Sequence, residues 1–264
     1  MIHKNKKSLG QNFLRDLSVI ENIISASNLH EKETVIEVGP GDGVLTEALL
    51  KKGVQVIAVE IDKDLIEDLN VKFSRFDKFE LINEDIRRFN IPRFLEEKNI
   101  DSYKVVANLP YYITSSIIRL FLESDKKPTE MILMTQKEVA ERICAKPGDM
   151  SVLSIAVQFY GKPEYVFDVS PAAFYPAPKV TSAVIKIVDI GRENLDIDEK
   201  KFFRIVRSGF ASRRKKLVNN LSSSLSISKQ IIVEKLNYIG LDSNIRAQEL
   251  DIDNWIKLLN ILDI

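Results

Sequence analysis

Between Thr34 and Cys144 the chain repeats one cycle: a short apolar run, a turn, then a stretch with apolar residues at helical spacing. Thr34–Val38, Val54–Val59, Phe79–Ile82, Tyr103–Ala107 and Met131–Met134 read as strands. Val44–Lys52, Asp64–Phe73, Thr114–Leu122 and Gln136–Cys144 read as the helices that follow them. Such alternation fits few architectures. It predicts an α/β fold with a parallel, doubly wound sheet and right-handed crossovers.

The pattern changes downstream. Tyr165–Val169 and Val180–Val188 read as strands separated by the proline-rich Ser170–Pro178, a link too short for a helical crossover, so an antiparallel pair is expected. Asp189–Glu199 is polar and reads as a linker, and helices are expected over Phe202–Phe210, Leu217–Leu225, Ile231–Tyr238 and Asp253–Leu262. A catalytic domain over 1–190 and a small helical domain over 191–264 fit ordinary domain sizes. With 264 residues, 45% of them hydrophobic, the chain can fill both cores.

Composition removes several chemistries. One cysteine, Cys144, excludes an internal disulfide framework and a cysteine-rich zinc site. His3 and His30 leave little for a histidine metal site or a Ser-His-Asp triad. No secretory signal and no membrane-length apolar run is visible, so the chain reads as soluble and intracellular. Lys+Arg and Asp+Glu balance at 38 each, which gives no global sign of a nucleic-acid partner.

Glu37-Val38-Gly39-Pro40-Gly41-Asp42-Gly43 follows the first strand of the alternation and opens a helix. Glycines at such a turn let the backbone approach a ligand. Glu60 ends the next strand, about 20 residues on, where a carboxylate can accept from both hydroxyls of an adenosine ribose. A dinucleotide fingerprint needs its third glycine where Val44 stands, and Pro40 removes a backbone donor that a pyrophosphate would use. A cofactor without phosphates fits better, with a ligand-free glycine turn as the plainer reading. Asp85 closes the third strand and can accept from an adenine amino group, or cap a helix over Asp85–Phe89. Glu60, Asp85 and Asn108 all stand at carboxyl ends of consecutive strands, the edge where open α/β sheets take ligands.

Asn108-Leu109-Pro110-Tyr111 offers a carboxamide oxygen, a backbone carbonyl and an aromatic face, and Pro110 keeps the loop rigid. That set suits a flat base carrying an exocyclic amino group. An ordinary proline turn with Tyr111 as core filler is the alternative. Two basic groups stand out: Lys4, Lys6 and Lys7, and Arg204, Arg207, Arg213, Arg214, Lys215 and Lys216. They suit phosphate contacts, although a charged run taken alone is more simply a solvated face.

Together the motifs resemble the small-subunit ribosomal RNA adenine N6,N6-dimethyltransferases, which use S-adenosylmethionine. The carriers are Gly10–Leu14, Glu37–Thr46, Val59–Asp62, Asn108–Tyr111 and Phe174–Val184, spread over nearly the whole chain. The glycine loop alone indicates only a methyltransferase; the Asn-Leu-Pro-Tyr and Phe-x-Pro-x-Pro-Lys-Val segments are far more specific. The resemblance implies a Rossmann-like methyltransferase fold, with a mainly parallel seven-stranded sheet, helices on both faces and a small all-α C-terminal domain. It implies dimethylation of two adjacent adenines near the 3′ end of 16S ribosomal RNA.

By the same resemblance, Asn12 and Leu14 close over the cofactor, Gly39 and Gly41 contact it, Glu60 takes the ribose and Asp85 the adenine. Asn108 lies between cofactor and target base, and its side-chain oxygen and the Leu109 carbonyl accept from N6. Tyr111 and Phe174 sandwich the base, although Phe174 read alone is equally a core residue between prolines. Tyr112 departs from the pattern, which has a smaller polar residue there, often Asn. The implied partner is small-subunit ribosomal RNA or a pre-30S particle, met in the cytoplasm by a monomer that needs neither metal nor membrane. The rival readings are a large-subunit RNA methyltransferase of the resistance type and a non-catalytic RNA-binding assembly factor. An NAD-dependent enzyme is more distant.

Overall fold

The computed structural model describes residues 11–191 and 197–262. The chain divides into two units. One runs up to Ala140 and resumes over Lys162–Ile190; the other holds Glu141–Gly161 and the chain from Gly191 onward. The first unit opens with β1 (Phe13–Leu14) and α1 (Leu17–Ala26). The expected alternation follows: β2 (Thr34–Val38), α2 (Val44–Lys51), β3 (Gln55–Glu60), α3 (Lys63–Phe73), β4 (Phe79–Asn83), α4 (Ile91–Glu97), β5 (Lys104–Asn108), α5 (Thr114–Leu122), β6 (Glu130–Gln136) and α6 (Lys137–Ile143). After α7 (Val152–Tyr160), which belongs to the second unit, come β7 (Lys162–Val169), β8 (Phe174–Tyr175) and β9 (Ser182–Val188).

Seven strands form one sheet in the order β4-β3-β2-β5-β6-β9-β7. The ladders from β4 to β6 are parallel, and β9 runs antiparallel to both its neighbours. Val35, Ile36, Val105, Val106, Ile132 and Leu133 are wholly buried, as central strands covered on both faces must be. β7 and β9 make the antiparallel pair that their short connection requires. Within that connection, β8 pairs instead with β1, setting Leu14 opposite Phe174 and Phe13 opposite Tyr175.

The chain winds outward from β2 through β3 to β4, then resumes on the other side of β2 with β5 and β6. This reversal opens a crevice at the carboxyl ends of β2 and β5, the ordinary ligand position of such sheets. Gly43 sets how closely the helices behind it can approach. It caps α2 at φ +76°, and a Cβ there would stand 2.6 Å from Phe73 of α3.

The second unit contains α7, α8 (Glu199–Gly209), α9 (Leu217–Leu225), α10 (Lys229–Tyr238) and α11 (Ile252–Leu262). Ser151 and Ser154 cap α7 reciprocally: each hydroxyl accepts from the other residue's backbone N–H. Phe159 stacks on Phe202 with centroids 4.4 Å apart, and the Tyr160 hydroxyl donates to Glu199 Oε2 at 2.8 Å. Residues 141–161, which the sequence pattern places in a 1–190 domain, therefore group with the helices instead. The cause is the apolar surface of α7, where Ile155, Ala156, Val157, Phe159 and Tyr160 are all buried. Among the described residues, no helix is long and apolar enough to cross a membrane.

Gly43→Ala is expected to cost about 2–4 kcal/mol, from a left-handed backbone forced on an L-residue and from overpacking against Phe73. Gly240 has φ +78° with no atom within 4 Å of an added Cβ. Gly240→Ala is therefore expected to cost only the backbone part, about 1–2 kcal/mol. Denaturant unfolding of both variants against the parent chain checks the difference.

Candidate active site

The crevice is a cleft of about 1090 Å³, open mouth included, lined by the loops behind β2, β3, β4 and β5 and by residues 11–14. Behind β2 the chain turns through Gly39 at φ +67° and Gly41 at φ +60°. A Cβ on Gly39 would meet nothing within 4 Å, so the backbone lies open to the cleft there, whereas one on Gly41 would press on Phe13 at 3.1 Å. Gly39 N donates to Val59 O at 2.9 Å and ties the loop to β3.

Glu60, the last residue of β3, is 5% exposed. Its Oε1 accepts from Asp62 N at 2.8 Å and its Oε2 from Gly41 N at 3.4 Å. An ionised carboxylate has about four lone-pair sites, so acceptor capacity remains for a ligand. Burial raises the Glu60 pKa above its ordinary value. Glu37 is enclosed further, and Thr46 Oγ1 donates to its Oε2 at 2.6 Å. Burial pushes its pKa up to about 8, with the nearby Glu60 adding a smaller rise. Glu37 thus holds a proton at neutral pH, which leaves Glu60 as the member of the pair that can carry charge into the cleft.

Asp85 lies two residues past β4, where its Oδ1 accepts from Arg87 N at 3.0 Å and closes a turn rather than capping a helix. The Arg87 guanidinium grips the same carboxylate, Nε to Oδ1 at 3.0 Å and Nη2 to Oδ2 at 2.6 Å. That hydrogen-bonded cation lowers the Asp85 pKa. Sequence reasoning does not assign Arg87 to the site; a basic residue two positions after the acid is its only signal.

Asn108 ends β5, and Leu109 N donates to Met134 O of β6 at 3.0 Å. Among the described residues, the Asn108 carboxamide and the Leu109 carbonyl are left without hydrogen bonds. Pro110, at φ −58°, leads into a tight 3₁₀ turn over Tyr111–Ile113. The Tyr111 hydroxyl shares a 2.6 Å hydrogen bond with Ser182 Oγ, so β9 fixes that ring. Asn12 and Leu14 line the cleft, and Gln11 Nε2 donates to Asp62 Oδ2 at 2.8 Å beside them.

The structure thus gathers Asn12, Leu14, Gly39, Gly41, Glu60, Asp85 and Asn108–Tyr111 around one cleft. Phe174 is not among the lining residues. It is 5% exposed in a hydrophobic cluster with Leu14, Val169, Ala173 and Val184, while its neighbour Tyr175 is exposed. Among the described residues, no group of His, Cys, Asp and Glu could hold a metal ion.

Lys4, Lys6 and Lys7 lie outside the described residues. In the second unit, Arg204 and Arg207 are exposed on α8, and Arg213, Arg214, Lys215 and Lys216 are exposed in the turn before α9. Buried Asn220 braces that turn from inside, its Nδ2 donating to Gly209 O and, at 2.9 Å, to Ser212 O.

The family described as Ribosomal RNA adenine dimethylase matches residues 2–263. A Ribosomal RNA small subunit methyltransferase A from Dehalococcoides mccartyi is 48% identical over 256 residues, covering 97% of this chain and 87% of that one. A protein of the same name from Fusobacterium nucleatum is 41% identical, covering 100% and 99%. Among solved structures, a dimethyladenosine transferase from Plasmodium falciparum superposes with TM-score 0.81 at 23% identity, over 95% of this chain and 97% of that one. The 23S rRNA methyltransferase ErmE does so with TM-score 0.77 at 26% identity, over 96% and 100%.

The folded chain keeps the Glu37 proton that the unfolded chain loses above 4.5, so stability should fall as pH rises from 4.5 to about 8. The slope cannot exceed about 1.4 kcal/mol per pH unit. Glu37→Gln keeps an oxygen for Thr46 and should remove this slope. Unfolding curves across the window check it, and parallel pH profiles for the two proteins would refute it.

Proposed function

This chain belongs to the ribosomal RNA adenine dimethylase family, and we propose that it transfers methyl groups from S-adenosylmethionine to N6 of adenines in small-subunit ribosomal RNA. The targets are two adjacent adenines near the 3′ end of 16S RNA, each carried to N6,N6-dimethyladenosine. The observation that carries the reading is the pair of unused acceptors, the Asn108 carboxamide and the Leu109 carbonyl, at the end of β5 in the same cleft as Glu60 and Asp85. The names of the relatives support the substrate class.

The residues fit the cofactor. Gly39 leaves space at the backbone, Glu60 keeps acceptor capacity for two ribose hydroxyls, and Asp85 offers an acceptor to the adenine amino group. Asn12, Leu14 and Gly41 complete the set. When bound, S-adenosylmethionine supplies a methyl carbon already made electrophilic by its sulfonium.

The chain's own residues must activate a weak nucleophile, because the N6 lone pair is delocalised into the ring. Asn108 Oδ1 and Leu109 O accept the two N6 hydrogens, favour a pyramidal nitrogen and free that lone pair. Tyr111, its ring fixed through Ser182, gives the base a stacking face. Pro110 holds the loop between acceptor and ring. Alignment in the cleft supplies much of the acceleration, as it does in oriented intramolecular reactions. Once one methyl is on and the cationic nitrogen has released a proton to water, a single N6 hydrogen remains, so the second transfer has only one of the two acceptors engaged. Phe174 supplies the second stacking face, opposite Tyr111; it is 5% exposed and pairs across β1 and β8 with Leu14, which lines the cleft.

The second unit binds RNA phosphates through Arg204, Arg207, Arg213, Arg214, Lys215 and Lys216, and Lys4, Lys6 and Lys7 add to this at the amino end. The protein acts as a cytoplasmic monomer on the RNA or on a pre-30S particle. Mapping dimethyladenosine in small-subunit RNA from cells with and without the protein tests the function. Methylation of large-subunit RNA instead would overturn it. Asn108→Ala should abolish transfer while leaving cofactor affinity within about tenfold, since the residue acts mainly on the target nitrogen. Isothermal titration beside a methyl-transfer assay separates the two effects. Gln at Arg213, Arg214, Lys215 and Lys216 together should weaken RNA binding and flatten the slope of log affinity against log salt by about 0.7 for each phosphate no longer neutralised. An unchanged slope would exclude the turn.

A further inference from the structure

Tyr112 takes no part in the transfer as described, yet it stands at the mouth of the cleft. The residue is 59% exposed and lines the cleft. Its ring pairs with no other ring among the described residues. Single exposed apolar side chains are ordinary on a protein surface; the position of this one is not. Its backbone is held firmly, because the turn over Tyr111–Ile113 follows Pro110 and Ile113 N donates to Pro110 O at 3.2 Å. Successive residues of a 3₁₀ turn project about 120° apart, so Tyr112 cannot share the direction of Tyr111, whose hydroxyl is tied to Ser182. One ring is committed to the interior of the site, and the next is offered to solvent at its rim. Arg87 also lines the cleft, with its side chain 50% exposed.

We infer that Tyr112 is a stacking platform for the nucleobase next to the target adenine in the RNA strand, so that the cleft engages two successive nucleotides. The inference rests on the reading of the chain as an RNA adenine methyltransferase. A strand that delivers one base to Asn108 and Leu109 must place the covalently joined neighbour at the rim, one nucleotide's reach away. A rigid aromatic face there stacks on any base, so the gain is affinity and positioning without a demand on that base's identity. The ring belongs to the residue directly after Tyr111, so the two platforms move as one piece.

The test uses short RNAs of the target region, intact or with the base on either side of the target adenine removed. Tyr112→Ala should raise KM for intact RNA about 5- to 100-fold with kcat little changed, while S-adenosylmethionine affinity stays as in the parent protein. Tyr112→Phe should restore KM. On one of the two abasic RNAs, Tyr112→Ala should cost nothing further, because the stacking partner is already gone. Tyr238, 82% exposed on α10, supplies the control, and Tyr238→Ala should leave every value unchanged.

A Tyr112→Ala defect that persists in full on both abasic RNAs overturns the inference. So does a defect in cofactor affinity in place of KM, which would mean that the ring covers the cofactor. No effect of Tyr112→Ala overturns it as well. Absence of transfer by the parent protein overturns the functional reading alone, because direct binding of the same RNAs reads Tyr112 without turnover.

Discussion

The parallel pairing of β2 with β3 on one side and β5 on the other is the constraint on which the cleft depends. Val38 lies opposite Val59, and Ile36 opposite Val105. Parallel ladders bring carboxyl ends to one edge of the sheet, so the glycine loop, Glu60 and Asn108 become neighbours although they are far apart in sequence. That arrangement requires helices on both faces, since the strands bury both their sides. The approach of α2 to α3 in turn requires a residue without a side chain at Gly43.

The sheet also decides how charge is shared in the cleft. Two carboxylates at neighbouring strand ends, both withdrawn from water, cannot both ionise cheaply. Glu37, enclosed and satisfied by Thr46, takes the proton, whereas Glu60 opens on the cleft with backbone N–H groups already supporting its charged form. A polar pair that would weaken a buried strand becomes one neutral structural group and one ligand-facing carboxyl group.

Much of this is legible in the sequence because it rests on local pattern. Apolar runs mark β2 to β6, and the residues ending them, Glu60 and Asn108, line the cleft. What pattern does not show depends on tertiary cover or on very short pairings. Ser151 at its N-cap marks the start of α7 locally, but Val152–Tyr160 is apolar on most sides, so pattern alone does not show that the C-terminal helices cover it. The two-residue pairing of β1 with β8 leaves no trace in composition, yet it encloses Phe174 and exposes Tyr175. The fork between Arg87 and Asp85 is likewise geometric, since the sequence shows only an acid with two arginines after it.

The helical unit is not one stretch of chain. Its α7 is encoded before β7 and β9, and its remaining helices after them. During synthesis, α7 therefore leaves the ribosome before the helices that cover it exist, with Phe159 and Tyr160 waiting for Phe202 and Glu199. The sheet for its part lacks two strands until β7 and β9 have followed α7. Neither unit can be finished by a nascent chain before the other has begun. A protein ending near residue 190 would complete the sheet at the cost of an uncovered apolar helix, the kind of surface that chaperones and aggregates seize.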